Sequence, residues 1–411
     1  MRVQQIRLRN FRNYTGLELN PGTGLNVFVG QNAQGKSNLL EAMYVLATTR
    51  SLRASRESEM IQRAAETATV AAEIVREKEP DVELELSVFQ TDKKSIRVNG
   101  VRRPRVLELL GQLNAVFFGA LDLGIVSGDP SIRRRWLSLE ISQISPKYCF
   151  DLASYKKVLE QRNRLLRDLR ERPYRDSGLE VWNDQLVHYG APLLEKRRFF
   201  LDRLAPLADE IHRDLTDGRE SLTLQYLPSV PLPDASTSPG AAVIAESFHA
   251  EIERLSRDEL RRGVTLVGPQ RDDVQFLING ADARTYGSQG QQRTVVLSLK
   301  LAEYRLMDDY IGEPPILLLD DVMSDLDDAR RAHLLDWIRG RSQTFITCTN
   351  LRAFPDDVLQ EARIFRVESG TVAPEGEYHP VVSEPPLAVA ESSEDSSDVV
   401  MAGSAGAGDE A

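Results

Sequence analysis

A chain of 411 residues has room for two domains of ordinary size, and 41% hydrophobic with 27% charged residues is the composition of a water-soluble globular protein. No apolar run approaches the ~18–20 residues of a membrane span and the start lacks a signal-peptide core. Cys149 and Cys348 are too few and too far apart for a disulfide framework or metal cage, so a reducing, cytoplasmic setting is expected. The net charge of −11 misleads if taken whole: residues 384–411 carry seven acids and no Lys or Arg, which leaves −4 for the remainder. Residues 381–411 read as a disordered acidic tail.

Residues 3–8 alternate apolar and polar side chains and predict an edge strand, with a second strand ending near Leu19. Residues 25–29 read as a buried strand and residues 38–46 as a helix. Between them, Gly30, Gln31, Asn32, Ala33, Gln34, Gly35, Lys36 and Ser37 fit the phosphate-loop pattern G-x-x-x-x-G-K-[ST], with Asn38 directly after. The glycines let the backbone wrap a polyphosphate, and the loop amides sit at the positive end of the helix dipole. Lys36 is placed to reach the β- and γ-phosphates, and the Ser37 hydroxyl to hold Mg²⁺. The strand before and the helix after make this a nucleoside triphosphate site rather than a Gly-rich turn.

Strands follow at 70–74, 82–90 and 95–98, the last turning at Asn99-Gly100, a strong hairpin signal. From 132 to 217 Pro and Gly thin out and apolar residues recur at helical spacing, in two stripes separated by a turn at 172–178. Two antiparallel helices of some 30 to 40 residues would span roughly 45–60 Å. The stripes hold too few heptads for a free-standing coiled coil, and a packed helical subdomain is favoured. Residues 228–240 read as a linker, 241–262 as a helix, 265–268 as strand-like, and 273–278 as a strand turning at Asn279-Gly280.

Residues 314–321 form an apolar strand that ends in Asp320 and Asp321. A buried parallel strand delivering a carboxylate at its end is how a phosphate-loop fold supplies its Mg²⁺ partner. Asp320 is assigned to the metal, and Asp321 to accepting a proton from, or orienting, the attacking water. Residues 286–293 make a second Gly-containing loop, with Ser288, Gln289 and Gly290 opening a helix over about 291–308. It is either a helix cap or an anion cradle for a nucleotide held by another copy of the chain.

Together these strings resemble ABC-type ATPases of the chromosome-maintenance and repair branch, and within it the RecF family of recombination mediators. The resemblance rests on residues 8–14, 35–42, 50–53, 268–273 and 287–294, and extends over nearly everything from Met1 to about Gly370. It implies an α/β fold: an ABC-type head with a mixed sheet, flanking helices and an antiparallel β region, built from 1–130 and 264–380, with a helical hairpin lobe inserted at 131–263. It further implies a weak ATPase with ATP and Mg²⁺ that dimerises in its ATP state, clamps duplex and gapped DNA, and works with the partner RecR, together with RecO, with no membrane association. Four strings depart from the family pattern: Phe118-Gly119-Ala120-Leu121-Asp122-Leu123, Gln270 in place of His, Asp325 in place of Glu, and Asn350 after Thr347-Cys348-Thr349.

Arg102, Arg103 and Arg105 after the first hairpin, Arg133, Arg134 and Arg135 entering the helical lobe, and Arg162, Arg164 and Arg167 are the candidate DNA contacts. Each cluster reads equally well as a solvated face or salt-bridge network. Two rival classes are an ATP-gated clamp or scaffold whose hydrolysis is incidental, and an ATPase subunit of an ABC transporter.

Overall fold

The computed structural model describes residues 1–91, 93–171, 178–232, 240–324 and 326–375. The expected acidic tail and most of the turn at 172–178 lie outside the described residues, as does most of the linker's second half.

The chain opens with β1 (Arg2–Phe11), β2 (Tyr14–Leu19) and β3 (Leu25–Val29), then α1 (Lys36–Thr48), β4 (Thr67–Val75), β5 (Val82–Phe89), β6 (Lys94–Val98), β7 (Val101–Arg103) and β8 (Ala115–Gly119). Six of these strands pair antiparallel in the order β2-β1-β4-β5-β6-β7. Asn99 and Gly100, both at positive φ, form the β6–β7 turn. A helical stretch follows: α2 (Leu123–Ser127), α3 (Pro130–Ile144), α4 (Pro146–Glu171) and α5 (Leu179–Leu215), then β9 (Leu222–Leu227) and α6 (Ala241–Arg262). The first expected long helix is therefore two. Ser145 leaves helical geometry ahead of Pro146, as the residue before a proline tends to.

The last third contains β10 (Asp273–Ile278), β11 (Ala281–Asp282), α7 (Ala283–Tyr286), α8 (Gln289–Ile311), β12 (Ile316–Asp320), α9 (Asp328–Ile338), β13 (Thr344–Cys348), α10 (Asp356–Glu361), β14 (Arg363–Glu368) and β15 (Thr371–Pro374). No strand forms at 265–268, contrary to the expectation. Its backbone donors are taken by side chains instead: Thr265 N by Asn163, Leu266 N by Glu259 and Gly268 N by Ser229. A segment satisfied in this way does not need a ladder.

A second sheet runs β15-β14-β3-β13-β12-β8, parallel except for β15, and β11-β10-β9 form a third. Successive residues of the parallel strands point to opposite faces. Phe28, Phe117, Leu318, Phe345 and Phe365 face α1 and the antiparallel sheet. Val27, Phe118, Leu319, Ile346 and Ile364 face a core shared with α3, α5 and α8. Phe28 stacks on Phe365 with ring centroids 5.0 Å apart, which fixes β3 beside β14. The helical stretch is packed rather than free: α5 lies against α4, α6 and α8.

Candidate functional site

The carboxyl ends of β3, β13 and β12 lie side by side, with Thr347 of β13 in register with Phe28 on one side and Asp320 on the other. Ligands of open α/β sheets bind at such strand ends. The loop after β3 is held from three directions. Gly30 N donates to Cys348 O at 3.2 Å, Gly370 N to Gln34 O at 3.0 Å, and the Asn13 amide to the same Gln34 O at 2.9 Å. Tyr14 donates its hydroxyl to Gly35 O at 3.0 Å. With these carbonyls engaged, the amides from Gln31 to Ser37 carry no hydrogen-bond partner among the described residues. The loop cannot be closed by larger residues. A Cβ on Gly30 would lie 2.3 Å from Val367 O, and one on Gly35, at φ +119°, 2.6 Å from the Asn13 amide.

Lys36 opens α1 and is buried, its ammonium donating to Gly30 O at 2.6 Å and Gln31 O at 2.9 Å. Ser37 Oγ donates to Asp320 Oδ1 at 2.7 Å. Thr347 Oγ1 donates to the same oxygen at 2.8 Å and accepts from Asp321 N at 2.9 Å. One threonine thus ties both aspartates to the middle strand. Asp321 sits at φ +55°, a left-handed conformation that few residues other than Gly, Asn and Asp adopt. Behind α1, buried Glu41 receives Arg12 Nη2 at 2.7 Å, Arg53 Nη2 at 2.6 Å and the Ser51 hydroxyl. Burial acts to raise the Glu41 pKa, but the Arg12 and Ser51 hydrogen bonds and the charge of Arg53 outweigh it and lower it.

The second loop is exposed. Ser288 caps α8, accepting from Gln291 N at 3.2 Å, while Gln291 Oε1 accepts from Ser288 N at 2.9 Å. Gln291 is braced in turn by Glu220, which also meets buried His212 at 3.1 Å. The cap reading of Ser288 therefore holds within one subunit. Ser288, Gln289 and Gly290 remain exposed beside Tyr286, which is 76% exposed.

Two arginines are withdrawn from the candidate DNA surface. Arg133 is buried and makes a two-pronged pair with Asp273, at 2.6 and 3.0 Å. Arg162 is fully buried, paired with Glu259 at 2.6 Å and bonded to Thr265 at 2.8 Å. Both partners are remote in the chain, so neither pair showed as a local charge pattern. Arg102 and Arg105 are exposed on and after the edge strand β7, and Arg103 is half-buried. Arg134 and Arg135 reach backbone carbonyls, Asp272 O at 2.7 Å and Ser51 O at 2.6 Å. Sequence reasoning missed Thr347, Asn13 and Tyr14. Asn13 and Tyr14 entered only through the family string at 8–14 and Thr347 only through the string Thr347-Cys348-Thr349 at the end of an apolar run, none of which marks β13 as the strand between β3 and β12.

No described helix is long and apolar enough to cross a membrane. A parallel sheet with a phosphate loop and a carboxylate pair at its strand ends, flanked by an antiparallel sheet and helices, defines an ABC-type P-loop ATPase head. An Smc head bound to the C-winged helix domain of ScpA shares this fold, with TM-score 0.52 at 16% identity over 91% of this chain and 97% of that one. The RecF/RecN/SMC N-terminal domain model matches residues 2–372. The DNA replication and repair protein RecF of Oceanobacillus iheyensis is 43% identical over 373 residues, 90% of this chain and all of that protein. RecF of Bacillus subtilis (strain 168) is 42% identical with the same coverage. A solved structure of the recombination mediator RecF with ATP, of the RecFOR pathway, superposes with TM-score 0.83 at 34% identity, over 91% of this chain and 97% of that one. The chain belongs to the RecF family of DNA replication and repair proteins.

Proposed function

We propose that this chain is an ATP-hydrolysing DNA-binding protein of recombinational repair and replication restart, which closes as an ATP-bound dimer on duplex DNA near single-strand gaps and helps load recombinase. The observation that carries the reading is the meeting of Ser37 and Asp320 at 2.7 Å beside a loop of unpartnered amides. The polyphosphate of ATP lies along the amides of Gln31 to Ser37, with Asn38 next to them, and Lys36 exchanges its two carbonyl partners for the β- and γ-phosphates. Ser37 and Asp320 would hold Mg²⁺, since both present the hard oxygens that this ion takes. Bound there, the ion would supply charge neutralisation at the transferred phosphoryl group. Asp321 orients the attacking water or accepts its proton, and Thr347 keeps it at a set distance from Asp320.

Ser288, Gln289 and Gly290 close over the γ-phosphate of a nucleotide held by a second subunit, so that ATP joins the dimer. In this reading 1–130 with 264–380 is the ATPase lobe and 131–263 the helical lobe. Arg102, Arg103, Arg105, Arg134, Arg135, Arg164 and Arg167 are the remaining candidate phosphate contacts, the last two exposed on α4, and nothing among the described residues forms a groove-reading motif for specific bases. RecR, together with RecO, is the proposed protein partner. Hydrolysis is slow and stimulated by DNA. Membership of the RecF family disfavours the transporter-subunit alternative. The clamp with incidental hydrolysis is supported by the departures from the family pattern at 118–123, Gln270, Asp325 and Asn350.

Lys36→Ala tests the reading. ATP binding and ATP-dependent capture of duplex DNA are both expected to be lost. A variant that still captures DNA and supports repair would leave the incidental-hydrolysis clamp as the better account.

A further inference from the structure

A cavity of about 1100 Å³ lies between the segment after α1 and the α3–α4 helices, apart from the phosphate loop. Its walls carry Arg50, Arg56, Lys94, Arg134, Arg135 and Lys156, and the one carboxylate among its described lining residues is Glu57. Glu57 is shared, at 3.0 Å from Arg50 and 2.6 Å from Lys94. Arg197 also reaches the wall but is committed to Asp272 at 2.9 Å. Arg56, Arg134, Arg135 and Lys156 have no ion pair among the described residues. The positive field is felt inside the cavity: desolvation lowers the Lys156 pKa, and repulsion from Arg50 lowers it further. An anion held within the volume would relieve the repulsion between these like charges.

We infer that this cleft binds the phosphate backbone of a single DNA strand. The inference rests on the proposal that the protein acts on gapped DNA, and it assigns the single-stranded side of the gap to a site within one subunit. A volume of about 1100 Å³ is a space roughly 10 Å on a side, smaller than a duplex whose major groove alone is roughly 12 Å wide. The six cations come from separate segments, Arg50 and Arg56 after α1, Lys94 on β6, and Arg134, Arg135 and Lys156 on α3 and α4, and a lining with that many cations suits a chain of phosphates better than a single ion. The one aromatic residue on the described lining, Tyr155, is buried and donates its hydroxyl to Gln270, so the strand is held through its phosphates alone, contacts that carry no sequence information.

The test uses the full chain with ATP, and fluorescence anisotropy of a labelled oligothymidylate, a duplex of equal length, and unlabelled tripolyphosphate as competitor. Arg56→Glu with Lys156→Glu is the variant, because both side chains are exposed and without described ion pairs. The expected result is an oligothymidylate affinity at least about tenfold lower, with the salt slope reduced by about 1.4 for two lost contacts, and duplex capture unchanged. In the wild type, the oligothymidylate should slow maleimide labelling of Cys149, which lines the cleft, whereas Cys348 is buried. Unchanged strand affinity and slope with intact duplex capture would overturn the inference and leave the proposed function standing. Tripolyphosphate that displaces the strand at equal phosphate concentration would overturn it in favour of a free polyphosphate. A wild type that binds neither strand nor duplex would overturn the proposed function and this inference with it.

Discussion

The Ser37 hydroxyl and the Asp320 carboxylate meet at 2.7 Å although 283 residues separate them in the chain. The meeting is a product of strand order. β13 is inserted between β3 and β12, so the loop leaving one strand and the acid ending the other flank a single residue, Thr347. Its hydroxyl holds Asp320 by its side chain and Asp321 by its backbone amide.

Thr347→Val keeps shape and volume but removes that hydroxyl. ATPase turnover is expected to fall about 10–100-fold, the usual cost of losing a group that orients a metal ligand, with nucleotide affinity less affected. Steady-state kinetics with and without DNA, alongside nucleotide binding, would check it. Unchanged turnover would remove Thr347 from the site.

Arg162→Ala separates a structural from a DNA-contacting arginine. The Arg162–Glu259 pair is buried on both sides, and breaking such a pair by removing one partner costs about 3–5 kcal/mol. Denaturant unfolding should show this loss, while the DNA affinity of the folded variant matches the wild type. Lowered DNA affinity without lowered stability would return Arg162 to the binding surface.

Glu41→Gln probes the pH dependence of the scaffold behind α1. The Glu41 carboxyl titrates below its unfolded value near 4.5. Its contribution to stability is therefore present above about pH 4.5 and lost as pH falls through the lower folded value. At pH 7 the variant should be less stable by about 1–3 kcal/mol, allowing for the partial exposure of Arg12 and Arg53. The difference from wild type should shrink on acidification below pH 4.5. Unfolding curves between pH 3 and 7 measure it, and a gap that persists or widens in acid contradicts the assignment.

Much of this architecture was legible in the chain because its signals are local. The phosphate loop needs eight consecutive residues, the apolar strand ending in Asp320 needs five, and α5 and α6 announce themselves by apolar spacing. What was not legible depends on remote partners. β8, β9 and β13 are short, and their identity as strands comes from neighbours far along the chain. Arg133 and Arg162 looked like surface cations because Asp273 and Glu259 lie 140 and 97 residues away. Residues 265–268 had the composition of a strand, and side chains from three other segments took their backbone bonds. The cationic cleft is likewise assembled from segments that no spacing rule connects.

The central claim is that ATP closes two subunits through the loop at Ser288. Sedimentation of the purified protein with and without ATP, in the presence and absence of gapped duplex DNA, tests it when wild type is compared with Ser288→Arg. Ser288 is exposed, and the substitution costs the monomer only a helix cap, about 1 kcal/mol. The account predicts a dimer and DNA capture that both require ATP, and that Ser288→Arg abolishes. A monomer indifferent to ATP, or DNA capture that the substitution leaves intact, would contradict it.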